Sequence, residues 1–221
     1  MDGDGVLIVD DHRLLAQALA AALGDRGIRA EVPDLGCLPD VVAGVTPGTV
    51  VLLDLVLDGG RDGGALVTPL RERGARVLVV TGSGDVVRMA QALRNGAVAV
   101  LEKGQPFDAL VDAVAAVRRG ACVGDPARRQ AILRAADERR AEQESAARVL
   151  GRLTPRESAV LDDLCRGRSP EEIARADQVA LSTVRAQIRA VFAKLGVRSQ
   201  LQAVARAHAL RGRIARRPRP D

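Results

Sequence analysis

Five side chains in this 221-residue sequence have the types and spacing for phosphoryl chemistry: Asp10, Asp11, Asp54, Thr81 and Lys103. All lie at or just beyond the ends of four short apolar runs, Val6–Val9, Val50–Leu53, Val77–Val80 and Val98–Leu101. If those runs are parallel strands of one sheet, three carboxylates, a hydroxyl and an ammonium converge on a single rim. Carboxylates so close repel one another unless a hard cation neutralises them, and Mg²⁺ takes such an oxygen set while retaining waters. Attack by the Asp54 carboxylate on phosphorus requires the phosphoryl oxygens to be neutralised, which Lys103, Thr81 and the cation would supply. Taken singly the residues are ordinary, since Asp11 can cap a helix opening at His12, Thr81 suits a strand end and a lysine after a strand is usually solvated. Their convergence is what points to an aspartyl-phosphate pocket.

A second chemistry stands near the other end. Over residues 181–198 there are four basic side chains and no acid. Val184, Ile188, Val191, Phe192 and Leu195 recur at helical spacing, which leaves Ser182, Arg185, Ala186 and Arg189 on other faces. An apolar-anchored helix with a basic outer side, preceded by a short helix near Pro170 to Ala174 and a turn, suits insertion into the DNA major groove. Upstream, Thr154-Pro155-Arg156-Glu157 reads as a helix start, with Thr as N-cap, Pro at the first position and Glu at the third.

The elements that must position these groups follow from the hydrophobic pattern. A fifth apolar run at Ile28–Val32 completes five strand candidates, and helical patterns separate them. Examples are Leu14, Leu15, Ala18, Leu19, Ala22, Leu23 before Gly24, and Val86, Val87, Ala90, Leu93 before Gly96. Strands apolar on both faces and alternating with helices predict a five-stranded doubly wound parallel sheet, an α/β fold, over residues 1–120. Residues 121–149, opened by Asp125 and Pro126 and rich in Ala, Arg and Glu, predict a mostly solvated helical linker. An all-α unit follows over 150–211. The stretch Arg211 to Asp221, with five arginines and two prolines in eleven residues, predicts a disordered basic tail from 212 to 221.

Composition narrows the function classes. With 47% hydrophobic and 28% charged residues the chain is globular rather than disordered. No apolar run approaches the roughly 20 residues of a membrane span, and no secretory leader is evident, so a cytoplasmic protein without membrane contact is expected. The three cysteines, Cys37, Cys122 and Cys165, have no zinc-like spacing, and with two histidines, His12 and His208, there is little material for a His cluster. Residues 1–120 carry 12 Lys/Arg against 16 Asp/Glu, and residues 121–221 carry 21 against 12. An acidic half is joined to a basic one suited to a polyanion.

The order Asp10-Asp11, Asp54, Thr81, Lys103 resembles the receiver domain of two-component response regulators, a flavodoxin-like fold, across residues 5–119. Leu153-Thr154-Pro155-Arg156-Glu157, Val160-Leu161, Gly167, Ile173-Ala174, Thr183-Val184 and Lys194-Leu195-Gly196-Val197 resemble the LuxR-type helix-turn-helix across residues 151–210. The whole chain is thus similar to response regulators of the NarL/FixJ type. The resemblance implies Asp54 as phosphoacceptor, Mg²⁺ held by Asp11, Asp54 and the Val56 carbonyl with Asp10 acting partly through water, and Thr81 and Lys103 on the phosphoryl group. It also implies a sensor histidine kinase as phosphodonor, a homodimer on double-stranded DNA, and RNA polymerase as a further partner. DNA contacts would come from Ser182, Thr183, Arg185, Ala186, Arg189 and Lys194.

Four positions depart from the pattern. Asp58 stands where receivers carry a proline, predicting a looser and more acidic loop, and Val100 takes the place of the strand-five switch aromatic. Asp177 replaces an inward leucine and Ala180 a capping serine. The first two favour a second reading, a transcription factor regulated independently of phosphorylation. An enzyme is not expected: a phosphatase of the haloacid dehalogenase kind needs a second Asp two residues after its nucleophile, where this chain has Val56.

Overall fold

The computed structural model describes residues 5–82 and 84–215. They form two compact units, which divide between Ala136 and Asp137. In the first unit the strands are β1 (Val6–Val9), β2 (Ala30–Glu31), β3 (Val50–Leu53), β4 (Val56–Leu57), β5 (Arg61–Asp62), β6 (Arg76–Thr81) and β7 (Ala99–Glu102). Its helices are α1 (Arg13–Asp25), α2 (Leu38–Ala43), α3 (Val67–Glu72), α4 (Val86–Arg94) and α5 (Phe107–Arg118). Then come α6 (Pro126–Leu150), α7 (Pro155–Cys165), α8 (Pro170–Ala176), α9 (Leu181–Leu195) and α10 (Gln200–Ala215).

The main sheet has the order β2-β1-β3-β6-β7 and every pairing in it is parallel. Alternation along each strand divides the side chains between two cores. Leu7, Val9, Val51, Leu53, Val77, Val79 and Val100 face one side, under Val67 and Leu70 of α3 and Met89, Ala90 and Leu93 of α4. Val6, Ile8, Val50, Leu52, Leu78 and Val80 face the other, against Leu19 and Leu23 of α1 and Leu110, Val111 and Val114 of α5. Both faces are covered, which is why the strands read as continuous apolar runs. Strand order reverses at β1, so the ends of β1 and β3 flank the crevice where ligands collect in such sheets.

Three boundaries differ from the sequence expectation. The second strand shortens to Ala30–Glu31, while β6 and β7 extend to include Thr81 and Glu102, which are register partners. A two-stranded antiparallel ribbon, β4 with β5, follows β3 where a loose loop was expected. The segment predicted as a solvated linker is one helix whose Ile132 and Ala136 belong to the core of the first unit, whereas Ala146, Val149 and Leu150 pack within the second. The two units divide inside α6, within the segment expected as linker.

In the second unit, Leu161, Val191, Leu195, Ala203, Ala207 and Leu210 form one cluster and Val160, Leu164, Ile173, Val184 and Ile188 another. Helices α7 and α8 each start on a full capping box, Thr154 with Glu157 and Ser169 with Glu172. Helix α10 runs to Ala215, so residues 212–215 of the expected tail are helical, and 216–221 lie outside the described residues.

Candidate functional site

Asp10 and Asp11 follow β1, Asp54 follows β3, Thr81 ends β6, and Lys103 follows β7. The parallel register sets these strand ends side by side. Asp10, Asp54 and Thr81 are buried, at 6%, 4% and 1% exposure. The Lys103 ammonium joins them: its Nζ lies 2.7 Å from Asp10 Oδ2 and 2.8 Å from Asp54 Oδ2, and its backbone N–H donates to the Thr81 carbonyl at 3.0 Å. One ligand atom from each of Asp10, Asp11, His12 and Asp54 lies within 4.8 Å of the others. The donor set is mostly carboxylate oxygen, the kind a hard divalent cation prefers.

Opposing forces act on the charges here. Burial by itself would lower the Lys103 pKa, but hydrogen bonds and charge from Asp10 and Asp54 outweigh it and hold the ammonium above its usual 10.5. For Asp11, burial pushes upward and hydrogen bonds with His12 and Asp58 prevail, holding its carboxyl below the usual 3.8. His12, expected merely at a helix start, is solvent-exposed yet part of the cluster, its Nδ1 lying 2.9 Å from Asp11 Oδ1 and 3.3 Å from Lys103 Nζ. Neither His12 nor Asp58 was identified as a pocket residue from sequence; the adjacency of His12 to Asp10-Asp11 was the available signal.

Behind Asp54 the chain forms a hydrogen-bonded ribbon. The Val56 N–H lies 3.4 Å from Asp54 Oδ1, and β4 turns through Asp58–Gly60, with φ of 74° at Gly59 and 78° at Gly60, into β5. Arg61 donates from Nε to the Asp58 carbonyl at 3.0 Å and from a terminal nitrogen to the Leu35 carbonyl at 2.8 Å. Gly63 donates to the Leu55 carbonyl, and a Cβ there would stand 1.9 Å from the Asp54 carbonyl oxygen. The glycines that made this stretch read as a loop are what permit the ribbon and its close approach.

In the second unit, α9 buries Val184, Ile188, Val191 and Leu195 and exposes Ser182, Thr183, Arg185, Ala186 and Arg189. Lys194 is placed differently. Its Nζ lies 2.5 Å from Glu157 Oε2, inside the α7 capping box, and that contact with the Thr154 N–H holds the Glu157 carboxyl below its usual 4.5. Arg185 pairs with Glu171 at 3.2 Å on the exposed side. Asp177 caps α8 and pairs with Arg156, which accounts for an acid where an apolar residue was expected. The turn then passes through Gln178 at φ 55°, with its N–H toward the Arg175 carbonyl and Val179 N–H on that of Ala174, a Schellman closure.

An acidic crevice at the switch point of a parallel sheet and a two-helix DNA-reading motif together define a regulator with separate input and output units. The family descriptions "Response regulator receiver domain" and "Bacterial regulatory proteins, luxR family" match residues 6–115 and 151–207. Over 207 residues the chain is 30% identical to the probable transcriptional regulatory protein NarL of Mycobacterium tuberculosis, covering 91% of this chain and 92% of that one. It is 28% identical over 208 residues to the glycerol metabolism activator of Pseudomonas putida, covering 90% and 92%. Full-length FixJ from B. japonicum aligns at 25% identity with a TM-score of 0.44, covering 94% and 97%. The chain belongs to the NarL/FixJ-type response regulators and is a DNA-binding transcriptional regulator with a receiver domain. Among the described residues no helix is long and apolar enough to cross a membrane.

Proposed function

We propose that the first unit accepts a phosphoryl group on Asp54 from a partner histidine kinase and that α9 of the second unit reads DNA. The observation that carries the first part is the Lys103 ammonium bridging buried Asp10 and Asp54 at the crevice. An Asp54 carboxylate oxygen forms the new O–P bond as the bond from phosphorus to the donor breaks, the electron pair leaving with the donor. Lys103 and the Thr81 hydroxyl stabilise the phosphoryl oxygens. Asp11, Asp54 and the Val56 carbonyl would hold Mg²⁺, with Asp10 partly through water, and the ion supplies the remaining charge neutralisation when bound.

On DNA, Ser182, Thr183, Arg185, Ala186 and Arg189 are the side chains offered to the groove. Lys194, whose ammonium also pairs with Glu157, would contact a phosphate. Leu201 of α10, 80% exposed, supports a homodimer through that helix. RNA polymerase is a further partner, and the protein acts in the cytoplasm without enzymatic turnover. Val100 favours a second reading in which DNA binding is set independently of phosphorylation, because it is buried with neither ring nor hydroxyl to reorient. The test is DNA affinity with and without acetyl phosphate plus Mg²⁺, for the natural chain and Asp54→Asn. The natural chain should gain one acid-labile phosphoryl group and Asp54→Asn none; equal labelling would overturn the site.

A further inference from the structure

A cavity of about 400 Å³ lies in the first unit, away from the acidic crevice, between β7 with the end of α4 and the segment from Cys122 to Ile132 that opens α6. Its walls are apolar, formed by Leu93, Val98, Val100, Val123 and Ile132. Val100 leaves room there that a larger side chain would fill. The polar groups at this cavity are of two kinds. Some are already satisfied: Glu102 is held by Arg128 at 2.5 Å, and Asp125 accepts from the Ala127 N–H at 2.8 Å. The others are donors that lack an anionic or any partner. Gln105 lines the cavity with its Nε2 buried and without a hydrogen-bond partner. Arg129 reaches only the Leu93 and Ala97 carbonyls, at 3.3 and 3.4 Å, and faces no carboxylate among the described residues.

The buried Gln105 amide lacks the partner such donors ordinarily have, and the guanidinium of Arg129, an exposed residue, makes its strongest hydrogen bonds to carboxylates. Apolar walls with a few convergent donors, in a volume within the range of small-molecule sites of roughly 300–1,000 Å³, are the composition of a ligand pocket. We infer that this cavity binds a small aliphatic or aromatic monocarboxylate, its hydrocarbon against Val100 and Ile132 and its carboxylate on Arg129 and Gln105. Because the walls come both from β7 and α4 and from the start of α6, an occupant ties that start to the sheet. Arg128 offsets the charge of Glu102, while Asp125, which is exposed, keeps its own. The inference goes beyond the phosphorylation reading, and no step of its test involves phosphorylation.

The probes are octanoate and 3-phenylpropionate, with 1-octanol as the uncharged comparator, titrated into the full-length chain by calorimetry. A carboxylate should bind saturably, and octanol roughly tenfold or more weaker than octanoate, as expected for a lost charge-assisted hydrogen bond. Arg129→Gln should weaken octanoate by a similar roughly tenfold factor, and Val100→Phe should abolish binding by filling the space. An independent readout needs no variant. Cys122 lines the cavity and is exposed, Cys37 is exposed elsewhere, and neither is in a disulfide. Octanoate should slow iodoacetamide labelling of Cys122, read by peptide mass spectrometry, and leave Cys37 unchanged. Failure of both carboxylates to saturate, equal binding of octanol, or equal labelling effects at the two cysteines would each overturn the assignment.

Discussion

Replacing Lys103 by methionine keeps most of the side-chain volume and removes the charge that holds Asp10 and Asp54 together. The ammonium lies 2.7 and 2.8 Å from those carboxylates, which are almost wholly buried, and the lysine side chain is itself only 15% exposed. Removing one partner from a buried ion pair costs about 3–5 kcal/mol, because the charge left behind has lost both water and counter-charge. Some solvent reaches this rim, so the lower end, about 3 kcal/mol, is expected for Lys103→Met without divalent cation. The sign with pH follows from the raised pKa. The stabilisation is fully present below the usual 10.5 and is lost only as pH rises through the higher folded value, so the cost should be flat between about pH 6 and 9. Mg²⁺ at about a hundred times its Kd adds about 2.7 kcal/mol by mass action and should recover most of the loss; the variant should also bind Mg²⁺ more tightly, having lost a competing cation. Urea unfolding followed by circular dichroism across Mg²⁺ concentrations measures both effects. A loss below about 1 kcal/mol without Mg²⁺, the size of an exposed ion pair, would refute the reasoning and make Lys103 a solvated lysine.

Gln178→Gly should stabilise the second unit by about 0.5–1 kcal/mol, since relief of the left-handed backbone, about 1–2 kcal/mol, exceeds the extra freedom glycine gives the unfolded chain. Thermal unfolding checks it, and a loss of stability would show that the exposed glutamine makes a contact worth more than the strain. Arg185→Ala and Arg189→Ala should each cost roughly 1–3 kcal/mol on one DNA sequence if they reach base edges, and act evenly across sequences if they touch phosphate alone, as titrations on matched and scrambled duplexes will distinguish. Glu157 has a depressed folded pKa, so its stabilisation is present above the usual 4.5 and is lost as pH falls through the lower value; Glu157→Gln should flatten that acid limb in helix content followed by circular dichroism. Phosphorylation should change operator affinity by less than about tenfold, the low end of allosteric coupling, because Val100 offers no second rotameric position; a hundredfold change in operator titrations would return the protein to the strongly switching class.

The main sheet was legible because four of its strands are short apolar runs rich in β-branched residues and largely buried on both faces, a pattern few other elements produce. The acidic rim was legible for the same reason: once the strand ends are known, the topology brings Asp10, Asp54, Thr81 and Lys103 together. The ribbon after Asp54 was not. Its strands are two residues each, and the intervening Asp58-Gly59-Gly60 is a composition shared by open loops and tight turns. Lys194 was assigned to DNA from its place on a basic helix, but Glu157 lies 37 residues earlier in sequence, and only the packing of α7 on α9 brings the two together. Helix α6 misled in another way: its thin apolar stripe contains two short patches for two different cores, and periodicity alone cannot say that one stripe serves two owners.

The ribbon behind Asp54 bears on how this sequence can drift. Gly63 has no functional group, yet any side chain at that position must push back the Asp54 carbonyl, which its Cβ would meet at 1.9 Å. In a library of single substitutions selected for phosphorylation, position 63 should therefore be as depleted as position 54, with alanine excluded along with larger residues. Asp58, exposed but hydrogen-bonded through its side chain to Asp11, should accept Asn or Glu more readily than apolar residues. Selection would then record a glycine of no chemical use held as strictly as the acid that does the chemistry.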